Sequence, residues 1–258
     1  MKIATWNVNG IRARHAQLCE WVERERPDVI CLQEIKATAS QVPAALLDMT
    51  DYWSYWHGQT GYSGVALHIR KALRPEPPRF FHPEFDYENR IVGTDFGCLT
   101  IASIYVPNGG KDFPAKMRFL EAMDRFIEER HAAGQSLVLC GDLNIARAEI
   151  DVHPKERKPK AIGQLPEERV LLERMLARGL VDVGRALDPD NDQLFTWWAP
   201  WRNLRQRNIG WRLDYVLASD AIASRATACT VHPEVGTSDH APVVATFQIA
   251  DCGFGILD

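Results

Sequence analysis

Runs of consecutive apolar residues alternate along this chain with stretches whose apolar positions recur at helical spacing, and several of the runs end in polar residues. Residues 3–6 read as a first strand that gives way to Asn7-Val8-Asn9-Gly10, two amides and a glycine suited to a tight turn into a helix. Ile11, His15, Leu18, Cys19 and Val22 carry that helix, and Pro27 marks where it has stopped. A second buried strand over 28–32 runs directly into Gln33-Glu34. A short helix over 42–47, a strand over 62–69 and a Pro-rich surface connection over 74–83 follow as scaffold. Residues 98–106 form a long strand with a β-branched bias, closed by Pro107-Asn108-Gly109-Gly110, so that Tyr105 and Asn108 stand at another strand exit. Phe113, Met117, Leu120, Met123 and Ile127 make an amphipathic helix that tolerates Pro114 in its first turn and closes at Gly134.

The central stretch is Ser136-Leu137-Val138-Leu139-Cys140-Gly141-Asp142-Leu143-Asn144. An unbroken aliphatic run of this kind is buried on both faces. Gly141 frees the backbone at its carboxyl end, and Asp142 and Asn144, two residues apart, can point into one crevice as an anion and a neutral amide. A polar loop over 149–165 holds Lys155, Arg157, Lys158 and Lys160, and a helix over 167–178 stops at Gly179. Strands over 213–217, with Asp214 near the start, and 243–249 close the chain, the last preceded by Ser238-Asp239-His240. An adjacent Asp and His in a loop before a core strand are candidates for an acid/base or metal pair.

With 258 residues the chain can bury a large core, and no break in composition divides it, so residues 1–258 are expected to form a single domain. A net charge of −4 gives no global attraction to nucleic acid or membrane, and any polyanion site has to be local. The six cysteines are scattered without a C-x-x-C pair, and Cys31 and Cys140 lie inside strand-like runs, as free thiols in a reducing compartment do. The first residues enter a strand with no signal-peptide apolar region, and no apolar run reaches the length of a membrane span. A cytoplasmic protein is expected.

One local patch stands out. Thr196-Trp197-Trp198-Ala199-Pro200-Trp201 is followed by Arg202, Arg205, Arg207 and Arg212 with no acidic residue before Asp214. Rings that stack on bases or sugars, interleaved with guanidinium groups that pair with phosphates, suit a nucleic-acid surface, while core packing would have to find partners for the charges. Glu34, Asp142, Asp214, Asp239 and His240, with Asn7, Asn108, Asn144 and Tyr105, lie almost all at strand ends. The set offers oxygen ligands and an imidazole but no thiolate cluster, which implies a hard cation, Mg²⁺ with Mn²⁺ as substitute, and phosphoryl chemistry. There is no Walker loop.

The segments WNVNGIRA (from Trp6), LQEIK (from Leu32), YSGVA (from Tyr62), YVPNGG (from Tyr105), GDLNIA (from Gly141), LPEER (from Leu165), GWRLDY (from Gly210) and SDHAP (from Ser238) resemble the exonuclease III family of DNA repair nucleases, which includes the apurinic/apyrimidinic endonucleases. The resemblance spans nearly the whole chain in order. It implies a four-layered α/β sandwich of two packed mixed sheets flanked by helices, with the site at one end. It further implies that Glu34 binds the metal with Asn7 beside it and Asp239 as a further ligand, and that Asp142 activates or positions water. Asn144 would hold that water or the phosphate, and His240, oriented by Asp214, would face the scissile phosphate. Tyr105 and Asn108 would contact the phosphate, and Trp197, Trp211 and Leu213 would form the pocket for a flipped abasic sugar. Lys111, Arg202, Arg205 and Arg207 are the expected DNA contacts, and Asn9 stands where some members carry an acidic metal ligand.

The expected activity is Mg²⁺-dependent cleavage of double-stranded DNA 5′ to abasic sites, with 3′ to 5′ exonuclease or 3′ end-trimming activity, by a monomer. Two other readings share the same acidic core. One is a phosphatase or phosphodiesterase acting on small phosphorylated or lipid substrates, which would need its own basic pocket or an apolar hairpin. The other is a non-catalytic DNA-binding protein.

Overall fold

The computed structural model describes residues 1–248, so Cys252 and Ile249, the expected end of the last strand, lie outside the described residues. The elements run β1 (Lys2–Asn7), α1 (Ile11–Glu25), β2 (Val29–Gln33), α2 (Ala44–Leu47), β3 (Tyr52–Gln59), β4 (Tyr62–Arg70), β5 (Phe80–Phe81), β6 (Ile91–Phe96), β7 (Leu99–Tyr105), α3 (Phe113–Ala132), β8 (Ser136–Asp142), α4 (Pro166–Ala177), β9 (Leu180–Asp182), α5 (Val183–Leu187), β10 (Asp214–Ser219), α6 (Asp220–Ala223), β11 (Ala226–Val231) and β12 (Val243–Phe247). They form two six-stranded mixed sheets, ordered β11-β12-β1-β2-β4-β3 and β5-β6-β7-β8-β10-β9. β1 with β2 and β7 with β8 are the parallel pairs.

Strict alternation along the central strands builds the layers. Ile3, Val29, Ile101, Val138, Cys140 and Val216 turn inward and fill the space between the sheets. Their neighbours turn outward: Ala4, Trp6, Ile30 and Leu32 meet Leu18, Trp21 and Val22 of α1, while Ile104, Leu137, Leu139 and Leu217 meet Leu120, Met123 and Ile127 of α3 and Leu172 and Met175 of α4. Strands covered on both faces need both sets apolar, which is why they read as continuous runs. Each such aliphatic side chain contributes roughly 1.5–3 kcal/mol of burial. The result is the four-layered α/β sandwich.

Local signals set the element ends. α1 stops where Arg26 adopts a left-handed conformation at φ 47° ahead of Pro27. Asp112 caps α3 by accepting the Ala115 amide at 2.8 Å. Gly141 stands at the carboxyl end of β8, as its next-to-last residue. A Cβ there would sit 1.8 Å from the Ile104 carbonyl of β7, so only glycine lets the two strands approach.

The apolar pattern does not mark β3, β6 and β11. β3 and β11 are sheet edges with half-buried residues, where the alternation is weak. β6 is interrupted by Gly93, which leaves room for the Phe81 ring. The Pro-rich connection over 74–83 holds as expected except that Phe80 and Phe81 pair with β6.

Polar residues gather on the inner face at one end of the sandwich. Continuing the inward register, Asn7 ends β1, Gln33 ends β2, Tyr105 ends β7, Asp142 ends β8 and Asp214 begins β10. The interior therefore opens there into a polar basin.

Candidate active site

Register places the basin's side chains before any loop does. Tyr105 of β7 lies opposite Asp142 of β8, and Asp142 opposite Asp214 of β10. Asn7 reaches across from the other sheet and donates to Asp142 Oδ2 at 2.9 Å. Beneath them is a buried polar floor that sequence reading missed: Thr5 donates to Gln33 Oε1 at 3.1 Å, Gln33 to Ser103 Oγ at 3.0 Å, and Ser103 to the Leu32 carbonyl at 3.0 Å. Its signal was available, since each residue occupies an inward position of a strand otherwise filled by apolar side chains.

His240 closes the basin. Its Nδ1 lies 2.8 Å from Asp214 Oδ2, and its Nε2 lies 3.8 Å from Asp142 Oδ2. The loop before β12 is fixed around it, with the Ser238 hydroxyl donating to the Asn7 carbonyl at 2.7 Å and the Trp6 indole donating to the His240 carbonyl at 3.1 Å. Burial alone would push the imidazole down, but Asp214 and Asp142 raise it to about 10, so it is a cation at neutral pH. Burial and the nearby Asp214 charge push Asp142 up to about 7, against the opposing pull of His240 and the Asn7 and Asn144 donors. Asn144, at φ 52°, gives its backbone amide to Asp142 Oδ1 at 2.8 Å and its side-chain amide to the Val106 carbonyl at 2.9 Å. Asn108 donates to Asn144 Oδ1 at 3.2 Å. Burial raises the Tyr105 phenol, as do Glu34 and Asp142, and it stays protonated.

Around this cluster lies a cleft of about 400 Å³ that includes Glu34, Asn9, Lys36, Asp239, Trp197, Trp211 and Leu213 in its walls. Glu34 sits at the turn after β2 with φ 56°, held by the Gly10 amide on its carbonyl at 2.8 Å, and pairs with Lys36 at 2.9 Å. Asp239 accepts from Asn9 at 2.8 Å and from the Trp197 indole at 3.0 Å. Burial would raise Asp239, but His240, Trp197 and Asn9 hold it below the usual carboxylate range. Trp197 and Trp211 meet edge to face at 5.6 Å, and the Trp211 indole N–H is buried with no partner among the described residues.

Asp142, Asp214 and His240 bring their polar atoms within 4.8 Å of one another, with His240 as the cation between two carboxylates. Asp214 Oδ1 is buried without a donor among the described residues, and the neighbouring Glu34, Asn7 and Asp239 offer oxygen ligands, so the donor chemistry fits a hard cation.

A second set of residues supports the first. Lys116 and Glu168 are fully buried and paired at 2.5 Å, and Lys116 Nζ also donates to the carbonyls of Asn144 at 2.8 Å and Asn108 at 3.3 Å. The other Glu168 oxygen accepts the Gly163 and Leu165 amides. LPEER thus carries a brace for the site rather than a contact within it. Arg90 lies 4.8 Å over the Tyr105 ring and donates to the Tyr62 hydroxyl at 2.8 Å.

The basic residues divide. Lys111, Arg202 and Arg207 are exposed, outside the cleft lining. Arg205 departs from its expected role, because its guanidinium is spent on the carbonyls of Pro233, Val235 and Ser238 and packs 5.0 Å over Trp198. It pins the loop that carries Asp239 and His240. Arg212 is likewise no surface residue: it is buried between Asp151 and Asp182. Trp198 is core, whereas Trp201 is 60% exposed.

The chain belongs to the endonuclease/exonuclease/phosphatase family, whose model matches residues 4–240. Fold and site agree with that class of hydrolase. Within it, the chain is 34% identical over 259 residues to the exodeoxyribonuclease of Bacillus subtilis, covering 96% of this chain and 100% of that one. Among solved structures, a 3′ phosphatase from Neisseria bound to a product DNA hairpin superposes with a TM-score of 0.87 at 31% identity, over 96% of this chain and 100% of that one. An AP endonuclease from Archaeoglobus fulgidus superposes with a TM-score of 0.84 at 28% identity, over 96% and 100%. Among the described residues no helix is long and apolar enough to cross a membrane.

Proposed function

We propose that this protein is a Mg²⁺-dependent DNA repair phosphodiesterase, with Mn²⁺ as substitute, that cuts double-stranded DNA 5′ to abasic sites to leave a 3′ hydroxyl, and that also trims 3′ ends. The observation that carries the reading is the buried Asn7–Asp142–His240–Asp214 cluster at the base of an aromatic-walled cleft. Asp142, raised to about 7, takes a proton from water near neutral pH, and Asn144 holds that water or a phosphate oxygen. His240, cationic beside Asp214, stabilises the charge that develops on the phosphate. Tyr105 keeps its proton and faces the leaving oxygen, with Asn108 on a non-bridging oxygen. Glu34, with Asn7 and Asp239, would hold the Mg²⁺, which neutralises phosphate charge when bound.

Trp197, Trp211 and Leu213 give the sugar of a flipped abasic nucleotide an apolar seat. Lys111, Arg202, Arg207 and the loop over 155–160 grip phosphates, so binding should weaken steeply with salt. The chain acts as one domain and a monomer in the cytoplasm.

The test is incision of a duplex oligonucleotide carrying a tetrahydrofuran abasic analogue. Single-nucleotide-resolved cleavage 5′ to the analogue with Mg²⁺, and none with EDTA, is expected; intact substrate with both Mg²⁺ and Mn²⁺ overturns the endonuclease reading. A 3′-end enzyme is the second reading, favoured by the Neisseria structure, whose protein is named a 3′ phosphatase and was solved with a DNA hairpin. Release of phosphate from a 3′-phosphorylated hairpin without incision of the abasic duplex would select it.

A further inference from the structure

A second candidate centre lies among the edge strands. His57 on β3, the edge of one sheet, His82 just after β5, the edge of the other, and Asp86 in the following loop bring their ligand-capable atoms within 4.8 Å of one another. His57 Nε2 lies 2.7 Å from Asp86 Oδ2, and the two imidazoles stack with centroids 4.1 Å apart and planes 15° from parallel. The Asp86 side chain is fully buried, and its other oxygen accepts the Arg90 amide at 2.7 Å. His82 is exposed and makes no hydrogen bond among the described residues.

We propose that His57, His82 and Asp86 form a binding site for a divalent transition-metal ion of the Zn²⁺ class, separate from the catalytic basin, that staples the edges of the two sheets together.

The chemistry of the set differs from that of the basin. Two imidazoles and one carboxylate suit Zn²⁺, which takes nitrogen at about 2.0–2.1 Å and oxygen at about 2.0–2.2 Å, whereas an all-oxygen environment suits Mg²⁺. Asp86 is already oriented by the Arg90 amide, the kind of supporting hydrogen bond that ligating carboxylates carry. In the stacked arrangement the ring lone pairs run side by side, so the His82 imidazole turns out of the stack to point a nitrogen at an ion held by His57 and Asp86, and its exposed position next to a two-residue strand permits that. Asp86 is the titratable neighbour of the two imidazoles, with the Tyr55 ring tilted beside them at 5.9 Å from His82.

Such an ion would make a link that the backbone does not. β3 and β5 belong to different sheets and share no hydrogen-bond ladder; Tyr55 stacked on Phe80 at 5.1 Å is the neighbouring contact between them. A ligand held only by the folded state raises its stability, and a hundredfold excess over Kd should lift Tm by on the order of 5–10 °C for a chain of this size.

The experiment titrates Zn²⁺ into metal-stripped protein by equilibrium dialysis with elemental analysis, and follows Tm in parallel, for the wild type, His82→Ala, His82→Gln and Asp142→Asn. Both His82 variants should lose one zinc equivalent, or bind it more than about 10-fold more weakly, and lose the zinc-dependent rise in Tm. Asp142→Asn should keep the His82-dependent equivalent and the Tm rise that goes with it. Equal stoichiometry and equal Tm response in the wild type and both His82 variants would overturn the proposal, as would loss of that equivalent in Asp142→Asn alone. Because the readout is bound zinc and Tm, the outcome is independent of whether abasic DNA is cleaved.

Discussion

Arg212 and Asp214 are two residues apart, yet they serve opposite kinds of buried cluster. Arg212 donates to both oxygens of Asp151, at 2.7 and 3.2 Å, and to both oxygens of Asp182, at 2.8 and 2.6 Å. Arg185 adds a bond to Asp151 at 2.7 Å. There, cations match carboxylates: despite burial, Arg212 and Arg185 hold Asp151 below the usual carboxylate range. Asp214 joins a cluster with carboxylates in excess, where one imidazole and the amides of Asn7 and Asn144 must serve two acids, Asp142 rises to about 7 and Asp214 Oδ1 has no donor among the described residues. A saturated ionic cluster is scaffold. An undersupplied one, open to a cleft, carries a demand for positive charge that a metal ion and a phosphate ester at the same place would meet.

Breaking the undersupplied cluster should have the largest effect. Asp142→Asn and His240→Ala should each lower kcat for abasic-duplex cleavage by about 10³-fold or more while DNA affinity stays within severalfold, read by single-turnover kinetics and filter binding. Rates near wild type would reject their assigned roles. Breaking the saturated cluster should instead cost stability: Arg212→Met leaves two buried carboxylates facing each other and should destabilise the fold by about 3–5 kcal/mol in urea unfolding. A loss below 1 kcal/mol would show that the two clusters do not differ as described.

The smallest effect sharpens the contrast through pH. Because the folded-state value of Asp151 lies below its ordinary 3.8, its stabilising contribution is complete above the unfolded-state value and is lost as pH falls through the folded-state one. Asp151→Asn should therefore be less stable than wild type at pH 7, by about 2 kcal/mol, with the gap closing below about pH 4. A gap that stays constant down to pH 2.5 would remove Asp151 from the acid-sensitive groups.

Much of the architecture was legible because the central strands have no choice of environment. The runs over 29–32, 99–106 and 137–140 are buried on both faces and show it in composition alone. Edge strands are different: β3 and β11 are half exposed, their side chains answer to two solvents, and no periodic signal survives. The site residues Asn7, Gln33, Tyr105, Asp142 and Asp214 stand as polar groups at the ends of such runs, whereas Thr5 and Ser103 are single polar positions within apolar patterns and Lys116 lies on α3, and these three did not stand out.

The Trp/Arg stretch shows where reading along the chain fails. As a string, Arg202, Arg205, Arg207 and Arg212 are one basic patch. In space Arg202 and Arg207 face solvent, Arg205 is taken up by the carbonyls of Pro233, Val235 and Ser238, and Arg212 by carboxylates at positions 151 and 182.

Local order along the polypeptide thus settled which central segments become strands, which become the long helices, and which chemical groups stand at their ends, because burial on one or two faces imprints a period on the residues that must satisfy it. Partnership was left to the folded chain. Whether a carboxylate meets a guanidinium, an imidazole or open cleft depends on strand order and register, which bring Asp142 beside Asp214 and Asn7 across from another sheet, and Coulomb and desolvation energies act on those distances and not on separation in sequence.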